Sequence, residues 1–169
     1  EQLSGRLLVD AGVWHARGVS VRLADQQLQI DGHVEDTEAA LRGELDLGLA
    51  GAAGKLRVAG ELRDVWTQGF MATLQSDCDL QATLIGVDPE PLLALAGSTG
   101  VRGSIDGTLR WQAAGEPVLT GELRGDLVGL ADEVGDAVFE LALRGDAAGL
   151  MVDDAVFRTG AVSYTHLRA

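Results

Sequence analysis

The sequence predicts an all-β protein, built as an elongated, curved antiparallel sheet. Apolar and polar residues alternate over long runs, as from Leu41 to Leu47 and from Val101 to Trp111. Because successive side chains of a strand point to opposite faces, each run gives the sheet one apolar and one charged face. The breaks between runs are short and rich in Gly, Asp and Ala, with no room for helices of ten or more residues. This favours antiparallel hairpins over parallel βαβ units.

The predicted strands follow one another at regular spacing. Turn chemistry separates them, for example at Ala24-Asp25-Gln26 and at Gly51-Ala52-Ala53-Gly54. Strands are predicted at Arg6–Val9, Gly18–Leu23, Gln27–Glu35, Ala40–Leu49, Lys55–Arg63, Gly69–Leu74, Asp79–Ile85, Val101–Trp111, Pro117–Val128, Ala137–Arg144, Leu150–Val152 and Ala155–Arg158.

One segment departs from the alternation and is predicted to be a short helix near residues 89–97. Asp88 is suited to the N-cap, Pro89 to the first helical position and Gly97 to the C-terminal stop. We expect the leucines of this segment to pack against the apolar face of the sheet.

The end of the chain does not follow the pattern of the rest. Residues 162–169 have neither the alternation nor the glycine usage, and they are similar to the read-through translation of a sequencing adapter. We therefore predict a non-native tail there and one segment of a repetitive β domain at residues 3–161. Since the sequence starts at Glu1 without a Met, we expect it to be a piece of a longer protein.

Composition argues against several functional classes. The net charge is −13 and the only lysine is Lys55, whereas nucleic-acid binding needs clustered Lys and Arg. No run of about 18 apolar residues is present to form a membrane-spanning helix. Cys78 is the only cysteine, so no internal disulfide is expected.

The sequence has no catalytic constellation, and we predict a protein that is not an enzyme and uses no metal or cofactor. His15, His33 and His166 are scattered, without a metal-ligand partner at the usual spacing. Cys78 lies between two aspartates, whose charges would raise the pKa of its thiol and make it a poor nucleophile.

Without a catalytic constellation, the apolar face is the feature of the sequence that we expect to carry the function. Aromatic residues make up only 4% of the chain, so this face is aliphatic, and glycines such as Gly43, Gly103 and Gly121 stand in apolar positions. Glycine there would let the sheet curl and leave a smooth groove that is complementary to acyl chains. The residues predicted to line the groove are Val19, Val21, Leu23, Leu28, Ile30, Leu41, Leu45, Leu47, Leu56, Val58, Leu62, Leu80, Leu84, Ile105, Leu109, Leu119, Leu123 and Leu127.

Several segments resemble a known family. Gly103–Leu109 and then Gly115–Leu123 are similar to the glycine-spaced strand, turn and Pro-x-Leu-x-Gly-x-Leu pattern of TamB and the wider AsmA-like proteins. The pair of strands within Val19–Val34 and the leucine-rich segment at 89–97, placed before a glycine-started strand, also resemble that family.

The resemblance implies a long β-sheet folded into a taco-like groove in the periplasm of a diderm bacterium. It implies a parent protein that is anchored in the inner membrane and carries phospholipid between the inner and the outer membrane. TamB itself is also implicated in outer-membrane protein assembly through a barrel partner, so the resemblance implies that this parent protein has such a role as well. The anchor and the barrel-binding region would lie outside this chain, for which phospholipid acyl chains are the expected partner.

Two other interpretations use the same alternation. A structural or adhesive secreted β-repeat, such as a β-solenoid, should show a fixed coil period with Asn or Thr ladders or a calcium-binding glycine repeat, and this sequence shows neither. An outer-membrane barrel needs girdles of aromatic residues, and three Trp, three Phe and one Tyr are too few. The structural or adhesive repeat remains the alternative to lipid carriage.

Overall fold

The computed structural model shows one open antiparallel sheet, which confirms the predicted all-β class. The structure describes residues 3–23, 26–91, 100–129, 136–146, 149–159 and 163–165. Eleven strands pair in chain order, and within these ranges no second sheet packs against them. The strands are β1 (Leu3–Asp10), β2 (Val13–Leu23), β3 (Gln26–Asp36), β4 (Ala40–Leu49), β5 (Lys55–Arg63), β6 (Asp77–Val87), β7 (Arg102–Ala114), β8 (Glu116–Val128), β9 (Ala137–Asp146), β10 (Gly149–Thr159) and β11 (Ser163–Thr165). The helices are α1 (Val65–Gln68) and α2 (Phe70–Ser76).

Tight turns join several neighbouring strands. Ala11 and Gly12 connect β1 to β2 with φ angles of 46° and 83°, both in the left-handed region that a two-residue type I′ turn requires. Gly115 alone connects β7 to β8, at a φ of 111°. Such turns leave no length for a crossover, so each strand pairs with the next one along the chain.

The observed strands agree with the predicted ones in order and differ mainly at their ends. β4 and β5 have the predicted limits, and most of the others extend by a few residues. The segments predicted separately at Leu150–Val152 and Ala155–Arg158 form the single strand β10. The pairing of β10 with β9 shifts register between Val152 and Asp154, as at a β-bulge. The strand therefore continues through the gap between the two predicted segments.

The strand predicted at Gly69–Leu74 is wrong, because this segment belongs to α2. Thr73 is fully buried there, and its hydroxyl donates to the carbonyl of Gly69 at 3.1 Å. The indole N–H of Trp111 on β7 donates to the carbonyl of Leu74 at 2.7 Å. These contacts hold the segment against the sheet as a helix.

Two other predictions fall largely outside the described residues. Of the helix predicted at 89–97, the structure describes only the beginning, where the carboxylate of Asp88 accepts the backbone N–H of Glu90 at 3.0 Å. Of the tail at 162–169, it describes the backbone of β11, which pairs with β10. The non-native origin of that tail stays a prediction.

Among the described residues, a small cluster of buried hydrophobic side chains lies where α2 meets the sheet. Leu62, Val65, Cys78 and Ala113 are buried together, and Leu74 of α2 packs against them. Leu62, Cys78 and Ala113 belong to three successive strands and lie directly across from one another. Helix α2 therefore covers one end of the apolar face.

Over the rest of the sheet, glycines allow neighbouring strands to pack on each other directly. Gly107 lies opposite Leu123, and a Cβ built on this glycine would be 2.7 Å from Cδ2 of that leucine. Gly125 lies opposite Phe139, whose Cε1 would be 2.7 Å from an added Cβ. The larger side chain thus lies over the backbone of the next strand, where any other residue would obstruct it.

Two glycines of β4 provide a test of this constraint. A Cβ at Gly43 would overlap the carbonyl oxygen of His33 and lie 2.8 Å from Cα of Val34, whereas a Cβ at Gly48 meets nothing closer than 4.0 Å. We expect Gly43→Ala to lower the free energy of unfolding by about 2 kcal/mol or more, because a strand must shift.

Gly48→Ala is the matched control, and we expect it to be neutral or to stabilise by up to about 1 kcal/mol. Urea unfolding followed by circular dichroism gives both values. Equal stabilities of the two variants would contradict the close approach of β3 and β4 at Gly43.

Candidate functional site

The strand register places the predicted groove residues on one face of the sheet, which we call the apolar face. Directly opposite residues of an antiparallel pair share a face, and Ile30 pairs with Leu47, Leu47 with Leu56 and Leu56 with Leu84. Cross-strand pairing and alternation along each strand place the rest of the predicted set on this face as well. Leu23 is the exception, because the structure does not describe its side chain. Whether these residues bind lipid stays a prediction.

The apolar face also contains residues that the sequence analysis did not include. Cross-strand pairing places them on the face of the predicted set. Alternation along each strand is the sequence signal for most of them, but Trp14 differs in parity from Val19 because the register of β2 shifts between Ala16 and Val19. They are Leu7, Val9, Trp14, Val34, Trp111, Phe139, Leu141, Leu143, Val152 and Phe157.

Three adjacent rows of this face cross from β2 to β10 and contain only apolar residues and glycine. Each row follows direct cross-strand pairs over nine strands, which at about 4.8 Å per strand makes roughly 40 Å. The rows are Val19–Ile30–Leu47–Leu56–Leu84–Gly107–Leu123–Leu141–Ala155, Ala16–Gly32–Leu45–Val58–Ala82–Leu109–Gly121–Leu143–Val152 and Trp14–Val34–Gly43–Gly60–Leu80–Trp111–Leu119–Gly145–Leu150.

Most of the apolar face has no second layer above it in the described part of the chain. Among the predicted groove residues, Leu62 is buried beneath α2, whereas Leu45, Leu109 and Leu123 are only half-buried. These side chains stay partly exposed because they pack only along the sheet, over neighbouring glycines, with nothing above them among the described residues.

Ion pairs cover part of the opposite face, which we call the polar face. Asp46 accepts hydrogen bonds from Nε of Arg57 at 2.8 Å and from Nζ of Lys55 at 3.0 Å, and these bonds lower the pKa of Asp46 to about 2. Further along, Arg110 holds Asp79 with two hydrogen bonds of 2.9 and 2.6 Å, which lower the pKa of Asp79. Each pair joins adjacent strands, so the polar face reinforces the register.

An open depression of about 770 Å³ lies on the polar face, across β6 to β10. Its walls include Thr83, Thr108, Glu122, Arg124 and Glu140, and between them run the backbones of the central strands. The groove was expected on the opposite, glycine-bearing face. The depression therefore lies on the face opposite the one predicted to form the groove.

The residues considered for chemistry do not form a reactive group. Cys78 is buried beneath α2, and burial is the main cause of its raised thiol pKa; its two neighbouring aspartates contribute less. His15 and His33 lie side by side on the polar face, with ring centroids 6.2 Å apart. Among the described residues, no three His, Cys, Asp or Glu side chains are grouped as metal ligands.

The described residues include no helix that is both long enough and apolar enough to cross a membrane. Comparison with protein-family models, with curated proteins and with solved structures finds no match.

The ion pairs of Asp46 predict a pH dependence of stability. The folded-state pKa of Asp46 lies below the value of about 3.9 expected in the unfolded chain, so the pair stabilises the fold above about pH 4. This contribution is lost as the pH falls from about 4 to about 2. We expect Asp46→Asn to cost about 1 kcal/mol or less at pH 7, because the pair is partly exposed.

Urea unfolding at pH 7 and at successively lower pH measures the difference between Asp46→Asn and the wild type, which should shrink through that window. Glu122→Gln, an exposed change on the same face, should show no such trend. A constant difference at all pH values would exclude the charge of Asp46 as its source.

Proposed function

We propose that this chain is a non-enzymatic segment of a protein that carries phospholipid by holding acyl chains on its apolar face. The observation that carries the proposal is the set of three uninterrupted apolar rows, which no second layer covers within the described residues.

The chemistry of the apolar face matches that of an acyl chain. An acyl chain offers no hydrogen-bonding groups, so a complementary surface needs apolar area and no polar side chain that binding would leave unsatisfied. The rows meet this requirement with Leu, Val, Ile, Ala, glycine and two tryptophans. A protein partner would usually require polar groups among the apolar ones.

The length of the rows also supports a lipid ligand. At roughly 40 Å, a row exceeds the thickness of a bilayer's hydrocarbon core, which is about 30 Å. Acyl chains could therefore lie along or across the rows at several positions. Such a surface favours movement of lipid along the sheet over storage of one molecule.

The resemblance to TamB and the AsmA-like proteins supports a location for the parent protein and a route for the lipid. In this proposal the parent protein lies in the periplasm, is anchored in the inner membrane by a segment outside these residues, and moves phospholipid between the two membranes. Assistance to outer-membrane protein assembly, through a barrel partner, would likewise need regions outside this chain.

Photo-crosslinking from adjacent residues tests the proposal. A benzophenone amino acid replaces Leu141 or, in the matched control, its neighbour Glu140, whose side chain points to the other face. The purified protein is irradiated with vesicles of phosphatidylethanolamine and phosphatidylglycerol that carry radioactive phosphate. We expect label on the protein from position 141 and several-fold less from position 140, because only the first probe faces the apolar rows.

The Leu123 and Glu122 pair on β8 gives an independent repeat of the same comparison. Equal labelling from the two faces would show unspecific adsorption and contradict the proposal. An absence of label from Leu141 and Leu123, with folding verified by circular dichroism, would favour the structural or adhesive repeat.

A further inference from the structure

We propose that His15 and His33 together bind a divalent transition-metal ion such as Zn²⁺ on the polar face. The two residues are distant in the chain, and their sequence spacing does not indicate a metal site. In the fold they lie directly opposite each other on β2 and β3, with ring centroids 6.2 Å apart. This inference is independent of lipid carriage, because it concerns the face opposite to the apolar rows.

The strand pairing brings the two imidazole rings together. The N–H of Asp36 donates to the carbonyl of Gly12 at 2.8 Å, so these two residues form a hydrogen-bonded pair. Hydrogen-bonded and non-hydrogen-bonded pairs alternate along an antiparallel ladder, and His15–His33 is the third pair further along. It is therefore a non-hydrogen-bonded pair, in which the Cα atoms are about 4.5 Å apart and the side chains are closest.

Two imidazoles in this position suit a zinc-like ion. Zn²⁺ binds histidine nitrogens at about 2.0–2.1 Å in tetrahedral geometry, so two ligating nitrogens lie about 3.3 Å apart. Side-chain rotation brings the rings to that spacing, because His33 is exposed and His15 is half-buried. Among the described residues, neither ring makes a hydrogen bond, so both rings have a nitrogen to offer. Water supplies the other ligands, and imidazole favours Zn²⁺ over Mg²⁺ or Ca²⁺.

Negative charge surrounds the pair and favours a cation there. Glu44 of β4 lies directly opposite His33 and on the same face. Asp31 and Glu35 lie two residues to either side of His33 on β3, and so share that face as well. Arg17 of β2 offsets one of these charges. The surroundings remain acidic overall, which lowers the electrostatic cost of bringing in a divalent ion.

A bound ion would fasten β2 to β3 beside an interruption in their pairing. The register shifts between Ala16 and Val19, where the N–H of Gly18 donates to the carboxylate of Asp31 at 2.7 Å. His15 directly precedes Ala16, so the ion would hold the ladder on the far side of this bulge. We therefore expect the ion to stabilise the fold, because the unfolded chain does not keep the two rings together.

Isothermal titration calorimetry with Zn²⁺ tests the site, on the 169-residue chain without a histidine tag. We expect one ion per chain. His15→Gln and His33→Gln should each lower the affinity by at least about tenfold, because losing a group that only orients a metal ligand already costs about 10–100-fold. His166→Gln removes the third histidine of the sequence and is the matched control, which should bind like the wild type.

Thermal unfolding gives a second measurement of the same site. An ion that binds only the folded chain raises the Tm as its concentration increases. The variants at His15 and His33 should lose this rise, and His166→Gln should keep it. Glu44→Gln should lower the affinity less than the loss of a histidine does. Its carboxylate lies 3.3 Å from Nε of Arg57 and acts as a neighbouring charge rather than as a ligand.

Circular dichroism verifies that each variant is folded before the comparison. A wild type that takes up no Zn²⁺ would overturn the proposal. So would binding that the substitutions of His15 and His33 leave unchanged, since the carboxylates of this acidic chain would then hold the ion. Half an ion per chain, with a mass of twice 17.7 kDa in sedimentation equilibrium, would also overturn it, because the ion would then join two copies.

Discussion

The close approach of neighbouring strands at glycine is the constraint on which this structure depends. Where no second layer covers the sheet among the described residues, large side chains cannot be buried against another element, so they pack along the sheet. Leu123 lies over Gly107 and Phe139 over Gly125, and at each position a Cβ on the glycine would obstruct the neighbour. The glycines thus replace part of the missing layer, because they let the backbone of one strand serve as the packing surface of the next.

This arrangement makes the sheet a linear series of strand pairs, in which packing contacts are mainly between neighbouring strands. Each strand contacts the strands before and after it, and the buried cluster of the described residues lies beneath α2, with Phe139 and Ala155 buried separately on β9 and β10. Stability then accumulates from one strand pair to the next, as in repeat proteins. A sheet of this kind can be lengthened by adding strands at its ends.

The two faces of the sheet have different roles. The ion pairs around Asp46 and Asp79 join adjacent strands on the polar face, where each contributes modestly because water and salt screen it. In the part of the chain that the structure describes, the three apolar rows contain no charged residue and continue from strand to strand. At β1, Leu7 lies opposite Ala16 and Val9 opposite Trp14, so two of the rows extend by one further strand. The proposed lipid carriage rests on these rows, which no second layer covers among the described residues.

The sequence by itself determined the strand order, the antiparallel class and the face of nearly every apolar residue, because a period of two is a property of the backbone and needs no tertiary partner. Leu45 and Leu109 could be placed on one face by counting alone. Only the tertiary structure decided that Gly69–Leu74 is helical, since the burial of Thr73 and the bond from Trp111 depend on residues distant in sequence. It also located the depression on the polar face, because the shape of a sheet follows from how all the strands assemble.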